Sequence, residues 1–139
     1  MNAPTQRETI LVVDDDQDFL AQTRMQLESY GYQVTTATGL KEADEMLAEH
    51  WPDLVLADLM MEVMDAGLVL CHRVKKKSPN TPFLLVTAVT GETGMEFEAT
   101  AGGWIKADAI LTKPVRAEQL RREIDRVLQG KREAVQAAH

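Results

Sequence analysis

The feature that most constrains this chain is an alternation of two kinds of segment. Short runs that are apolar throughout are followed by longer stretches with helical spacing. The runs are Ile10 to Val13, Asp53 to Asp58 through Leu54, Val55 and Leu56, Phe83 to Val86, and Ala109 to Leu111. Tyr32 to Ala37 alternates and is rich in β-branched residues, which makes it a further strand. A strand with one wet face alternates polar and apolar residues, whereas a run apolar on both sides needs cover on both sides. Such strands, separated by helices, predict an α/β fold: a doubly wound five-stranded parallel sheet with helices on both faces.

Helical spacing places the covering layers. Phe19, Leu20, Thr23 and Leu27 share one face between Asp16 and Tyr30, and Gly31 ends that helix. Leu40, Ala43, Met46 and Leu47 mark a second helix, which ends near His50, ahead of Pro52. Leu68, Cys71 and Val74 mark a third, running into Lys75, Lys76 and Lys77, whose charges complement the helix dipole. The last runs from about Arg116 to Leu128 with Ala117, Leu120, Ile124, Val127 and Leu128 inward. Gly130 is expected to end it. The domain is therefore placed at residues 9–130, with 1–8 a flexible N-terminus and 131–139 a tail. A fourth helix belongs between Thr90 and Lys106, but Gly91, Gly94, Gly102 and Gly103 oppose it, so a short or distorted helix with a mobile loop is expected.

Length and charge narrow the function classes. The 139 residues suffice for one core and leave no room for a second domain of ordinary size, so a stand-alone domain is expected. No apolar run approaches the ~20 residues that span a bilayer, and Met1 to Thr9 lacks the apolar stretch of a secretory signal. The single cysteine, Cys71, cannot form an internal disulfide, and a cytoplasmic setting is the default. A net charge of -7 argues against direct nucleic-acid binding, which needs a basic face, and suits a protein that holds a cation or meets a basic partner.

In a doubly wound sheet, ligands bind beyond the carboxyl ends of the strands, so the residues ending each strand are the candidates for chemistry. The first strand ends in Asp14, Asp15 and Asp16, the third in Asp58, the fourth in Thr87, and the fifth in Thr112 and Lys113 before Pro114. Three acids exceed what one helix cap needs, and Asp16 is assigned that role. Two carboxylates about 4 Å apart repel by roughly 4 kcal/mol at an effective dielectric of about 20. A divalent cation with oxygen ligands relieves that repulsion, and magnesium suits carboxylates together with a phosphoryl oxygen. Lys113 can neutralise a phosphoryl oxygen and Thr87 can donate a hydrogen bond to another. Phosphoryl transfer to a carboxylate needs little beyond such positioning and neutralisation.

Four stretches, ILVVDDD (Ile10 to Asp16), PDLVLADLMM (Pro52 to Met61), LLVTA (Leu84 to Ala88) and LTKPV (Leu111 to Val115), resemble the response-regulator receiver family in this order and at these strand ends. The resemblance covers about residues 8–130. It implies a flavodoxin-like strand order 2-1-3-4-5 and a stand-alone, CheY-like receiver of two-component phosphorelay signalling. It further implies that Asp58 is the phosphoacceptor and that magnesium is held by Asp15 and Asp58, by Asp14 through water, and by the backbone carbonyl of Met60. Lys113 would pair with the phosphoryl group, Thr87 would swing toward it, and the Lys113–Pro114 bond would be cis. The implied partners are a sensor histidine kinase or phosphotransfer protein and a downstream protein, with the receiver monomeric or dimerising on phosphorylation.

The chain also departs from the family pattern. Glu62 stands where proline is usual, MDAGL carries one residue more than MDGL, and Ile110 replaces the usual aromatic switch partner. The stretch between Thr87 and Lys113 is a few residues long for the family. Met60 and Val89, two residues past Asp58 and Thr87, are apolar and cannot orient water, which implies a long-lived phosphorylated form. Two other functions compete. One is a receiver fold that signals without phosphorylation, which the full set of Asp14, Asp15, Asp58, Thr87 and Lys113 opposes. The other is a haloacid-dehalogenase-like phosphatase with Asp14 as nucleophile and Asp16 as acid, which lacks an acidic pair after Lys113. Trp51 and Trp104 are assigned to packing, and His50, His72 and His139 show no metal spacing.

Overall fold

The computed structural model describes residues 7–61, 65–88 and 107–137. The Gly-rich stretch 90–106 with Trp104, and also Glu62 and Val89, lie outside the described residues. The elements run β1 (Thr9–Val13), α1 (Gln17–Ser29), β2 (Gln33–Ala37), α2 (Leu40–Glu49), β3 (Leu54–Asp58), α3 (Ala66–Lys77), β4 (Phe83–Ala88), β5 (Ala109–Lys113) and α4 (Ala117–Ala137). The five strands form one sheet in the order β2-β1-β3-β4-β5, and every pairing is parallel.

The uniformly apolar strands are explained by two cores, one on each face. Ile10, Val12, Leu56 and Val86 pack with Leu20 and Leu27 of α1 and with Leu120, Ile124 and Leu128 of α4. Their sequence neighbours Leu11, Val13, Ala57 and Leu85 point the other way, against Ala43 of α2 and Leu70, Cys71 and Val74 of α3. Each fully buried Leu or Ile contributes about 1.5–3 kcal/mol relative to exposure. A polar residue inside any of these strands would therefore cost one face or the other.

At the opposite end from the acids, polar ties hold the strand starts. Lys75 of α3 donates to the Thr81 carbonyl and to Asp108, both at 2.8 Å, and Asp108 accepts the Phe83 N–H at 2.8 Å. Trp51 packs at the α2–β3 edge as expected, with its indole N–H on the Thr81 hydroxyl at 2.9 Å.

The last helix corrects the sequence reading. It does not stop at Gly130 and leave a tail, but continues to Ala137. Glycine weakens a helix interior by only about 1 kcal/mol, and flanking contacts offset that. Gln129 reaches Glu133 at 3.2 Å, and Lys131 reaches the Asp53 carbonyl and carboxylate, each at 3.3 Å. Among the described residues, no helix is long and apolar enough to cross a membrane.

Candidate functional site

Register brings the acids together. Val13 of β1 pairs with Ala57 of β3, so Asp14 and Asp58, one residue further along each strand, lie side by side at the carboxyl edge. Oxygens of Asp14, Asp15 and Asp58 lie within 4.8 Å of one another. Asp14 is fully buried, Asp58 is 8% exposed, and Asp15 faces solvent. From the end of β5, Lys113 places its Nζ 3.0 Å from Asp14 Oδ2 and 3.5 Å from Asp58 Oδ2. The Lys113–Pro114 bond is cis.

The backbone around the acids is equally organised. Asp14 Oδ1 accepts the Asp16 N–H at 2.9 Å. Asp16 Oδ1 in turn accepts the N–H groups of Asp18 at 3.0 Å and Phe19 at 3.2 Å, capping α1. This carboxylate is thus engaged with the helix start rather than aimed as an acid beside Asp14. That geometry speaks against the dehalogenase-like arrangement.

Electrostatics follow from the burial. Asp58 is pushed up to about 6 by desolvation and by the neighbouring Asp14, against the opposing pull of Lys113 and the Met60 N–H. Desolvation also raises Asp14, partly offset by the Asp16 N–H and Lys113. For Lys113, burial favours the neutral amine, but the hydrogen bonds and charges of Asp14 and Asp58 outweigh it and hold the ammonium. Three carboxylates against one ammonium leave a negative pocket of hard oxygen donors, which matches the ligand chemistry of magnesium.

Not every expected residue converges. Thr87, the penultimate residue of β4, is half-exposed, and its hydroxyl donates to the Ala88 carbonyl at 3.4 Å. Among the described residues it makes no hydrogen bond to Asp58. Met60 follows Asp58 by two residues and is 46% exposed; its N–H is directed to the Asp58 carboxylate.

Two residues escaped the sequence reading as parts of the site. Gly67, in the first turn of α3, donates its N–H to the Leu59 carbonyl at 3.0 Å and packs on the Asp58 backbone. The glycine in MDAGL was a signal for it. Phe19, read as a core position, has its ring face 4.6 Å from Lys113 Nζ. No local pattern announces that contact.

The response regulator receiver domain family matches residues 10–125. The response regulator MprA of Mycolicibacterium vanbaalenii is 36% identical over 111 residues, which cover 80% of this chain and 46% of that protein. The alkaline phosphatase synthesis transcriptional regulatory protein PhoP of Bacillus subtilis is 30% identical over 119 residues, 86% of this chain and 48% of PhoP. The chain thus spans about half the length of these curated relatives. A CheY-like response regulator receiver domain protein from Methanospirillum hungatei superposes with a TM-score of 0.79 at 28% identity, covering 93% of this chain and 99% of that one.

Proposed function

Because this chain belongs to the response regulator receiver domain family, we propose that it takes a phosphoryl group onto Asp58 in a magnesium-dependent step of two-component signalling. The observation that carries this reading is the Asp58 carboxylate held beside Asp14 and Asp15, with Lys113 Nζ 3.5 Å away.

The donor is a phosphohistidine on a sensor kinase or phosphotransfer protein. An Asp58 oxygen attacks phosphorus, the phosphorus–nitrogen bond breaks, and its electron pair returns to the imidazole. A carboxyl that titrates at about 6 is mostly ionised at neutral pH, so the nucleophilic form prevails. Lys113, already between Asp14 and Asp58, turns its ammonium to a phosphoryl oxygen as charge accumulates. Asp14, Asp15, Asp58 and the Met60 carbonyl would hold magnesium, whose charge would offset that of the phosphoryl oxygens. Thr87 would leave the Ala88 carbonyl for a phosphoryl oxygen, and this movement is the proposed switch.

Output passes through a protein surface that changes with this switch, as a monomer or a phosphorylation-dependent dimer. The net charge of -7 supports a protein partner over direct nucleic-acid contact for this domain. We place it in the cytoplasm, where kinases draw on ATP.

The test is intact mass after incubation with acetyl phosphate, with and without magnesium, for wild type and Asp58→Asn. A phosphoryl adduct that requires magnesium and is lost in the variant is expected. An adduct that persists in the variant would place the chemistry on another residue. No adduct from acetyl phosphate or from a phosphorylated histidine kinase would favour a receiver fold that signals without phosphorylation.

A further inference from the structure

The ammonium of Lys113 meets two carboxylates on one side and an aromatic face on the other. Its Nζ stands 4.6 Å from the centroid of the Phe19 ring, within the range at which the negative face of a ring attracts a cation. We propose that Phe19 is a positioning residue for phosphoryl transfer, holding the Lys113 ammonium over the carboxylate cluster where it meets the incoming phosphoryl group. This inference rests on the reading of Asp58 as phosphoacceptor.

Phe19 is itself fixed relative to the acids by a closed ring of contacts. Asp14 Oδ1 accepts from the Asp16 N–H at 2.9 Å, and Asp16 Oδ1 accepts from the Phe19 N–H at 3.2 Å. The Phe19 ring faces Lys113 Nζ, which returns to Asp14 Oδ2 at 3.0 Å. The ring also packs against the core on the α1–α4 face of the sheet, which restrains its orientation. Helix start, aromatic face, ammonium and buried carboxylate are therefore referenced to one another without a freely swinging link.

The ammonium has somewhere else to go. An open cleft of about 390 Å³ lies between α1 and the β5–α4 turn, with Phe19, Gln22, Lys113 and Val115 in its walls. The Lys113 side chain is 27% exposed. A flexible four-carbon stem beside such a cleft gains entropy by swinging into water. The ring opposes this in two ways: it occupies space beside the stem, and it attracts the charge. Aliphatic residues of similar size supply only the first.

Fluorination separates the two effects, because successive fluorines drain the ring face of negative charge and barely alter its shape. Phe19 is replaced by mono-, di- and trifluorinated phenylalanine and, separately, by Phe19→Trp and Phe19→Leu. Two quantities are read: the rate of Asp58 phosphorylation at saturating acetyl phosphate with magnesium, and the ring-current shift of the Lys113 ε-protons by NMR without donor. The expected result is a graded fall in the saturating rate along the fluorine series, about three- to tenfold at its end. Phe19→Trp should keep the wild-type rate, and Phe19→Leu should fall at least as far as the trifluorinated ring while losing the upfield ε-proton shift. Wild-type phosphorylation with a flat rate across the series would overturn the proposal, as would an ε-proton shift unchanged in Phe19→Leu. Absence of a wild-type adduct from acetyl phosphate and from a phosphorylated histidine kinase alike would instead overturn the assignment of Asp58, and the NMR arm would still decide whether the ring holds the ammonium.

Discussion

Gly67 lies so close to Asp58 that a methyl group on its Cα would stand 2.3 Å from the Asp58 carbonyl oxygen and 2.7 Å from Leu59 Cα. Both neighbours are backbone, so neither yields by a rotamer change. Gly67→Ala must push α3 away from the end of β3 or displace the Asp58 peptide. We expect a loss of about 2–3 kcal/mol in stability, as for an overpacked core site, with slower phosphorylation of Asp58. Urea denaturation checks the first; a loss below about 0.5 kcal/mol, within the usual range for surface substitutions, would contradict it.

Gly130 is the opposite case. It lies inside α4, and a Cβ added there meets nothing within 4 Å. Alanine costs less backbone entropy than glycine in a helix, so Gly130→Ala should stabilise the protein by about 0.5–1 kcal/mol. The urea midpoint should rise with an unchanged slope. A destabilised variant would mean that the helix end needs the freedom of glycine.

Asp58 links stability to pH. Burial and the charge of Asp14 raise it to about 6, whereas its ordinary value is 3.8. The ionised carboxylate therefore costs stability above about pH 6, and the cost fades as pH falls toward about 4, where the carboxyl is protonated in both native and unfolded chains. Asp58→Asn removes the charge, so without magnesium it should stabilise the protein at neutral pH by on the order of 1–3 kcal/mol. That gain should shrink as the pH drops through this window. A gain independent of pH, or a loss at neutral pH, would show that Asp58 ionises as easily in the native state as in the unfolded chain.

If Asp58 is the phosphoacceptor proposed above, Met60 is expected to set how long the phosphoryl group survives. Its side chain is apolar and exposed beside the site, so it cannot orient an attacking water. Met60→Asn supplies a polar group there and should speed loss of the phosphoryl group several-fold. The measurement is decay of the intact-mass adduct after donor removal; equal decay rates would exclude this role.

Much of the fold was legible because its signals are local. Uniformly apolar runs such as Ile10 to Val13 demand cover on both faces, whichever strands become their neighbours. Helical spacing, the Asp16 cap and the clustering of acids at strand ends are likewise readable within a few residues. Family resemblance supplied the strand order and the roles expected of Asp58 and Lys113. Local reading failed at Gly130, where intrinsic propensity was outweighed by the contacts of Lys131 with Asp53.

The sequence alone determined the parallel sheet and which residues end its strands, because burial pattern and period act at short range. Only the tertiary structure decided what those ends do to each other. The β1–β3 register sets Asp14 beside Asp58, and Lys113 reaches Asp14 across 99 positions of chain. Gly67 meets Asp58 backbone to backbone, the Phe19 ring turns to Lys113, and the Thr87 hydroxyl turns to Ala88. Each of these depends on strand register, helix docking and rotamer choice, which are settled jointly by packing across the whole domain.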